Sequence, residues 1–124
     1  MRAHVERERE VECCGLLAGR GGIISVIFAA ANAAENSSTS YEIAPRDLCR
    51  IMREIHASGL ELLGIYHSHP RGENFPSSRD IERAYYPETP YFILSLLPGA
   101  GIPVRAFSIR DDVVTELSIE VADA

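Results

Sequence analysis

The residues of this chain that could do chemistry together are few. His67-Ser68-His69-Pro70 sets two imidazoles two positions apart, Ser77 and Asp80 follow, and Glu12 lies far upstream. Side chains alternate along a strand, so His67 and His69 would share one face and could grip a single small cation. Asp80, a loop away at the start of a helix, could fold back as a third ligand. Two imidazoles and one carboxylate suit zinc, and three protein ligands leave the fourth tetrahedral position for water, as in catalytic sites. Zinc would lower that water's pKa from about 15.7 toward about 7. Hydrolysis also needs a carboxylate to take the water's proton and pass it to a leaving amine. Glu12 immediately precedes a buried apolar run and is the candidate; Glu6, Glu8 and Glu10 belong to a charged helix and read as solvated. Ser77 could donate a hydrogen bond to a developing oxyanion.

Each residue has an ordinary reading beside the chemical one. Histidine pairs at strand spacing occur in plain sheets. Ser77-x-x-Asp80 matches a helix capping box, which competes with metal binding for the Asp80 carboxylate. A lone glutamate such as Glu12 is most often a surface carboxylate. Cys13 and Cys14 read as small buried hydrophobes, and His4 and His56 as solvated helix residues. Cys49 with His56 would be a poor nucleophile pair, because both sit on one amphipathic helix.

These residues need elements to position them. Residues 2–12 read as a charged, largely solvated helix. Cys13–Gly19 reads as a buried strand, with its apolar run Gly15–Gly19 bounded by glycines; Gly21-Gly22 marks a turn, and Ile23–Ala30 a second strand. Asn36–Ser40 is a polar loop, and Tyr41-Glu42-Ile43 a short strand. Pro45 opens a helix whose Leu48, Ile51, Met52 and Ile55 form one apolar stripe, with Gly59 as its stop. Leu60–His69 reads as a central strand ended by Pro70. A short helix from Ser78 to Tyr86 and a strand from Tyr91 to Leu97 follow. After a loop over Pro98–Pro103, Val104–Ile109 and Val113–Val121 form a hairpin around Arg110-Asp111-Asp112. The pattern predicts an α/β sandwich with a mixed sheet.

Bulk properties bound the function. The 124 residues, 46% hydrophobic and 24% charged, suit one compact domain over 1–124. A net charge of −6 and no basic stripe argue against nucleic acid. No apolar run is long enough to span a bilayer, and the charged N-terminus MRAHVERERE lacks a signal peptide's apolar core. Three cysteines, with Cys13 and Cys14 adjacent and no CxxC, fit neither a disulfide scaffold nor a thiolate zinc knuckle. Cytoplasm is the expected compartment.

Taken together, His67-Ser68-His69-Pro70, Ser77 and Asp80 resemble the signature of the JAMM metalloproteases, the catalytic JAB/MPN domains. Glu12-Cys13-Cys14-Gly15-Leu16-Leu17 resembles that family's E-x-C-G-L-L segment, and Asn32 and Tyr41–Pro45 with Asp47-Leu48 match its usual spacing. The likeness runs from about Glu12 to Phe107. It implies the JAB/MPN sandwich, similar in architecture to cytidine deaminases. It implies zinc on His67, His69 and Asp80, Glu12 as general acid/base and Ser77 as oxyanion stabiliser. It also implies cleavage of a peptide or isopeptide bond after the C-terminal Gly-Gly of a ubiquitin-like or sulfur-carrier protein. Compact prokaryotic members release a cysteine or another amine from such carriers. The first helix starts closer to Met1 than is usual in the family, so weak anchoring of that helix is expected.

Two other functions fit less well. A non-catalytic JAB/MPN scaffold would not need every ligand position filled. A zinc deaminase would need H-x-E with P-C-x-x-C, and neither is present. The carrier tail should lie extended in a narrow groove, for which Gly72–Phe75 and Asn36–Tyr41 are the candidate walls, by strand addition. Association as a homodimer is compatible with the sequence, which does not specify it.

Overall fold

The computed structural model describes residues 1–97 and 104–121. The expected Pro98–Pro103 loop lies outside them. Their elements run in order α1 (Arg2–Arg7), β1 (Cys14–Arg20), β2 (Ile23–Ala30), α2 (Pro45–Ala57), β3 (Glu61–His69), α3 (Ser78–Glu82), β4 (Tyr91–Ser95), β5 (Val104–Arg110) and β6 (Val113–Leu117). The strands form one mixed sheet in the order β2-β1-β3-β4-β5-β6. Only the β3–β4 pair is parallel, because α3 and its flanking loops carry the chain back between them. A parallel neighbour cannot be reached by a two-residue turn.

Local chemistry explains the tight connections. Gly21 and Gly22 join β1 to β2 with φ of 60° and 77°, a conformation that costs glycine little. Asp111 and Asp112 occupy the same left-handed region between the paired Arg110 and Val113, the geometry of a primed two-residue hairpin. α2 starts at Pro45, where the missing N–H costs nothing. Its Ile51 and Ile55 are buried on the sheet, and Leu48 and Met52 pack at the margin.

The sheet separates two cores. On the α2 side Cys14, Leu16, Ile51, Ile55, Ile65, Ile93 and Phe107 pack together. On the α1 side Val5, Cys13, Leu17, Tyr66, Phe92 and Leu94 do so. The two sets alternate along β1 and β3, as the pleat requires. Gly15 is dictated by the second core, since a Cβ there would lie 2.6 Å from the Tyr66 ring and 2.5 Å from the Phe28 carbonyl oxygen.

Several boundaries differ from the sequence expectation. α1 stops at Arg7 instead of reaching residue 12, and it is not merely solvated: Val5 and His4 are buried. His4, expected in solvent, bonds Tyr66 Oη at 2.7 Å through Nδ1. This contact and Val5 anchor the helix firmly. Tyr41–Ile43 is extended but not in the sheet; the Asn32 side chain and the Ala33 N–H bond its backbone instead of a strand partner. α3 ends at Glu82 rather than Tyr86. β4 ends at Ser95 rather than Leu97, and β6 at Leu117 rather than Val121.

Candidate metal centre

β1 and β3 pair antiparallel with Cys14 opposite His67. Continued by two residues, that register sets position 12 opposite position 69, so the start of β1 and the end of β3 meet at one end of the sheet. His67 and His69 lie on the α2 face of β3, one pleat apart. α3 begins at the same end and brings Asp80 over them. Ligand atoms of Glu12, His67, His69 and Asp80 all lie within 4.8 Å of one another. Glu12, His67 and His69 are buried, and Asp80 nearly so.

The three expected ligands converge on one point. The Nε2 atoms of His67 and His69 are 3.1 Å apart. Asp80 Oδ2 is 3.2 Å from the first and 3.0 Å from the second. Tetrahedral zinc, bound to nitrogen and oxygen at about 2.0–2.2 Å, holds neighbouring donors roughly 3.3 Å apart. The triangle is therefore the right size for such an ion.

Proton arithmetic makes a second test. His69 Nδ1 lies 2.6 Å from the Glu73 carbonyl oxygen. A carbonyl only accepts, so Nδ1 carries a proton. In the neutral ring Nε2 is then a bare lone pair, aimed at the lone pairs of Asp80 Oδ2. Oδ2 in turn accepts from the Ser77 N–H at 2.9 Å. Two lone pairs 3.0 Å apart need positive charge between them, supplied either by a second proton on His69 or by a cation. Burial alone would lower the His69 pKa, but the Asp80 hydrogen bond and the Glu73 carbonyl raise it overall. Burial would raise Asp80, yet its bonds to His67 and His69 hold it well below the usual carboxylate range. Burial pushes His67 below its ordinary value despite Asp80. The donor set fits a divalent cation.

The supporting contacts are backbone-heavy. Asn32 Nδ2 donates to the carbonyls of Glu12 and Ser40, each at 2.8 Å, and its Oδ1 accepts from Ala34 and Glu42 N–H. Glu12 N–H donates to the Ser37 carbonyl at 2.7 Å. Ser68, on the far side of β3, accepts from Cys13 N–H at its Oγ. These bonds fix Glu12 at the rim of the triangle. Its Oε1 is buried without a partner. Burial pushes the Glu12 carboxyl up to about 7, with His69 pulling down, Asp80 pushing up, and Arg79 pulling down.

Ser77 caps α3: its Oγ accepts the Asp80 N–H at 3.1 Å while Oδ2 accepts the Ser77 N–H. The cap and the contact with both imidazoles use the same Asp80 oxygen. Ser77 is exposed, and its O–H proton remains available to donate.

Sequence reasoning missed two contacts. Tyr41 stacks on His67 with centroids 4.3 Å apart and planes at 21°; reading 41–43 as a strand hid it. The Glu73 carbonyl that orients His69 has no residue-type signal at all, because it is backbone. Among the described residues His67 Nδ1 has no hydrogen-bond partner, so the Tyr41 stack stands where a polar partner orients most ligating histidines. Of the expected groove walls, Glu73 touches His69 through its carbonyl and Tyr41 touches His67 through its ring.

Known proteins place this geometry in context. A protein of Thermus thermophilus described as "Probable TtuB-protein conjugate cleaving protease" is 41% identical over 92 residues, 74% of this chain. The chain spans only 61% of that relative's length. A desampylase of Haloferax volcanii is 37% identical over 112 residues, covering 89% of this chain and 78% of the relative. A CysO-cysteine peptidase of Mycobacterium tuberculosis is 30% identical over 124 residues, covering 99% and 85%. A solution structure of a Desulfitobacterium hafniense protein superposes with a TM-score of 0.86 at 29% identity, over 98% of this chain and 86% of its own. The crystal structure of a JAB1/MPN domain protein from Archaeoglobus fulgidus shares the fold at 16% identity, with a TM-score of 0.60 over 98% and 93%. The model of the prokaryotic homologs of the JAB domain matches residues 1–110, and this chain belongs to that family.

Proposed function

We propose that the chain is a zinc-dependent hydrolase that cleaves the amide bond joining the C-terminal Gly-Gly of a ubiquitin-like or sulfur-carrier protein to an amine. The observation that carries this reading is the convergence of His67 Nε2, His69 Nε2 and Asp80 Oδ2 to within 3.0–3.2 Å of one another, with the buried Glu12 carboxyl at the rim. The relatives' descriptions as a conjugate-cleaving protease, a desampylase and a CysO-cysteine peptidase support the substrate class.

His67, His69 and Asp80 would hold the ion. When bound, zinc supplies Lewis acidity that polarises a carbonyl and acidifies water. Glu12 accepts the attacking water's proton as the water oxygen bonds to the carbonyl carbon. It then delivers that proton to the amine nitrogen as the C–N bond breaks, leaving a carboxylate on the carrier and a free amine. An ion beside Glu12 offsets its burial, so it is ionised and ready to act as a base at neutral pH. The exposed Ser77 O–H donates to the carbonyl oxygen as it gains charge. A tail without side chains passes between Gly72–Phe75 and Asn36–Tyr41.

The test is a carrier ending in Gly-Gly, fused to one further amino acid and incubated with the chain. Cleavage after the second glycine, abolished by a chelator and restored by zinc, is expected. Intact fusion in the presence of stoichiometric zinc would instead favour a binding scaffold.

A further inference from the structure

Beside the metal centre lies a cavity of about 320 Å³ that reaches Asp80 and Tyr41 and extends under Arg79, Arg83, Tyr85 and Tyr86. It shares Ser40 and Tyr41 with one expected wall of the tail groove, and none of Gly72–Phe75 lines it. Its charge is unbalanced. Arg79 and Arg83 project from α3 and the residue after it, and neither guanidinium has a hydrogen bond or ion pair among the described residues. Arg105 pairs with Glu116 and Arg110 with Glu88, whereas the exposed Arg46 and Arg53, outside the cavity lining, also have no ion pair among the described residues. Of the two carboxylates in the lining, Asp80 is spent on Ser77 and the imidazoles. Glu42 is the other carboxylate of the lining, and Arg79 also acts through space on Glu12 of the centre. Two guanidinium groups in one cavity beside a reacting centre suit an anion, and the planar fork of arginine matches a carboxylate.

We propose that this cavity is the leaving-group site and that Arg79 and Arg83 select an amine bearing a carboxylate next to its nitrogen, that is, an α-linked amino acid. The inference rests on the hydrolase reading above and specifies its leaving group. An α-amino acid carries its carboxylate two bonds from the scissile nitrogen, so the anion falls in whatever space adjoins the centre. A lysine side-chain amine would put four methylenes there instead and leave both guanidinium groups without a partner. The aromatic walls Tyr85 and Tyr86 accept a small side chain. The cavity takes one residue with room for water. Selection acts through binding and orientation; the bond broken and the proton path are those already described.

Two probes test this: N-acetyl-glycyl-glycyl-alanine and the same peptide as its C-terminal carboxamide. Binding is followed by NMR titration of the full zinc-loaded chain carrying Glu12→Gln, which prevents turnover. Cleavage of both is measured with the wild-type chain. The acid should bind at least roughly tenfold more tightly than the amide, as expected for charge-assisted hydrogen bonds, with shifts at Arg79, Arg83 and Tyr86. It should also be cut faster by a similar ratio. Adding Arg79→Gln and Arg83→Gln should bring both ratios close to one. Arg53→Gln, which removes one exposed positive charge outside the cavity lining, should leave them intact. Equal binding of acid and amide overturns the proposal, as does an equal loss in Arg53→Gln. If the wild type cleaves neither peptide nor any carrier fusion, the hydrolase reading falls, while the binding comparison still decides the pocket.

Discussion

Two histidine–carboxylate clusters sit on opposite faces of β3. On the α1 face, His4 bonds Tyr66 through Nδ1 and pairs with Glu8 through Nε2. Every atom there has a complementary mate: the phenol O–H donates to one ring nitrogen, and the other ring N–H donates to the carboxylate. On the α2 face, His69 already spends its Nδ1 proton on the Glu73 carbonyl, so its other nitrogen donates to Asp80 only when the ring takes up a second proton. His67 Nδ1 and Glu12 Oε1 are buried without hydrogen-bond partners among the described residues. The same residue types thus make a closed hydrogen-bond chain on one side and an open demand for positive charge on the other. Composition of a cluster does not distinguish structure from chemistry; the count of donors against acceptors does.

The comparison can be broken most decisively at Glu12. Glu12→Gln keeps the shape and removes the proton acceptor, so turnover of a carrier fusion should fall by roughly 10²–10⁴ while zinc content is unchanged. Equal activity in the variant, measured by mass spectrometry of the cleaved carrier, would remove Glu12 from the mechanism.

Next in size is metal-linked stability. A ligand present at a thousand times its dissociation constant stabilises the folded state by about 4 kcal/mol. His69→Ala and Asp80→Asn should lose that thermal shift, whereas His4→Leu should keep it. Zinc must also displace the second proton of His69, whose pKa is raised in the metal-free fold. Affinity should therefore weaken as pH falls, and calorimetry in buffers of different ionisation enthalpy should record proton release on binding.

The metal-free fold should show the cost of burying Glu12. Burial pushes its carboxyl from an ordinary 4.5 up to about 7 in the fold. A raised pKa means its favourable contribution is complete below about 4.5 and is lost as pH rises through about 7. Glu12→Gln should thus stabilise the metal-free chain at pH 8 relative to pH 4.5, by up to about 3 kcal/mol. Urea unfolding at the two pH values measures it, and a pH-independent difference would count against the buried carboxylate. Asp80 behaves oppositely: its depressed pKa stabilises the fold above its ordinary value of 3.8 and is lost as pH falls below it.

The closed cluster should respond more modestly. His4→Leu strands the Tyr66 hydroxyl and should cost about 1–3 kcal/mol in urea unfolding without affecting zinc uptake. Smallest is Tyr41→Leu, which removes the stack on His67. An aromatic pair is worth about 0.5–1.5 kcal/mol, so zinc affinity measured against a competing chelator should drop only a few-fold.

Much of this was legible beforehand, for identifiable reasons. Strict alternation along His67-Ser68-His69 put both imidazoles on one face. The apolar stripe of Leu48, Ile51, Met52 and Ile55 set the face of α2, and the Gly21-Gly22 turn set the β1–β2 hairpin. Each is a local periodicity or a backbone preference, carried by neighbouring residues. Elements held by distant contacts were misjudged: α1, whose buried side depends on Tyr66 about sixty residues on, and Tyr41–Ile43, whose backbone is bonded by Asn32 and Ala33 rather than by a strand.

The chain alone therefore determined which side chains could bind a cation and which elements would carry them, because spacing along a strand or helix converts directly into direction. Only the tertiary structure decided that Asp80 Oδ2 serves cap and cluster at once, that the Glu73 carbonyl orients His69, and that Arg79 and Arg83 line one cavity beside Asp80. Those outcomes depend on how the ends of β1 and β3 and the start of α3 meet in space, and on backbone atoms that every residue shares and no residue type reveals.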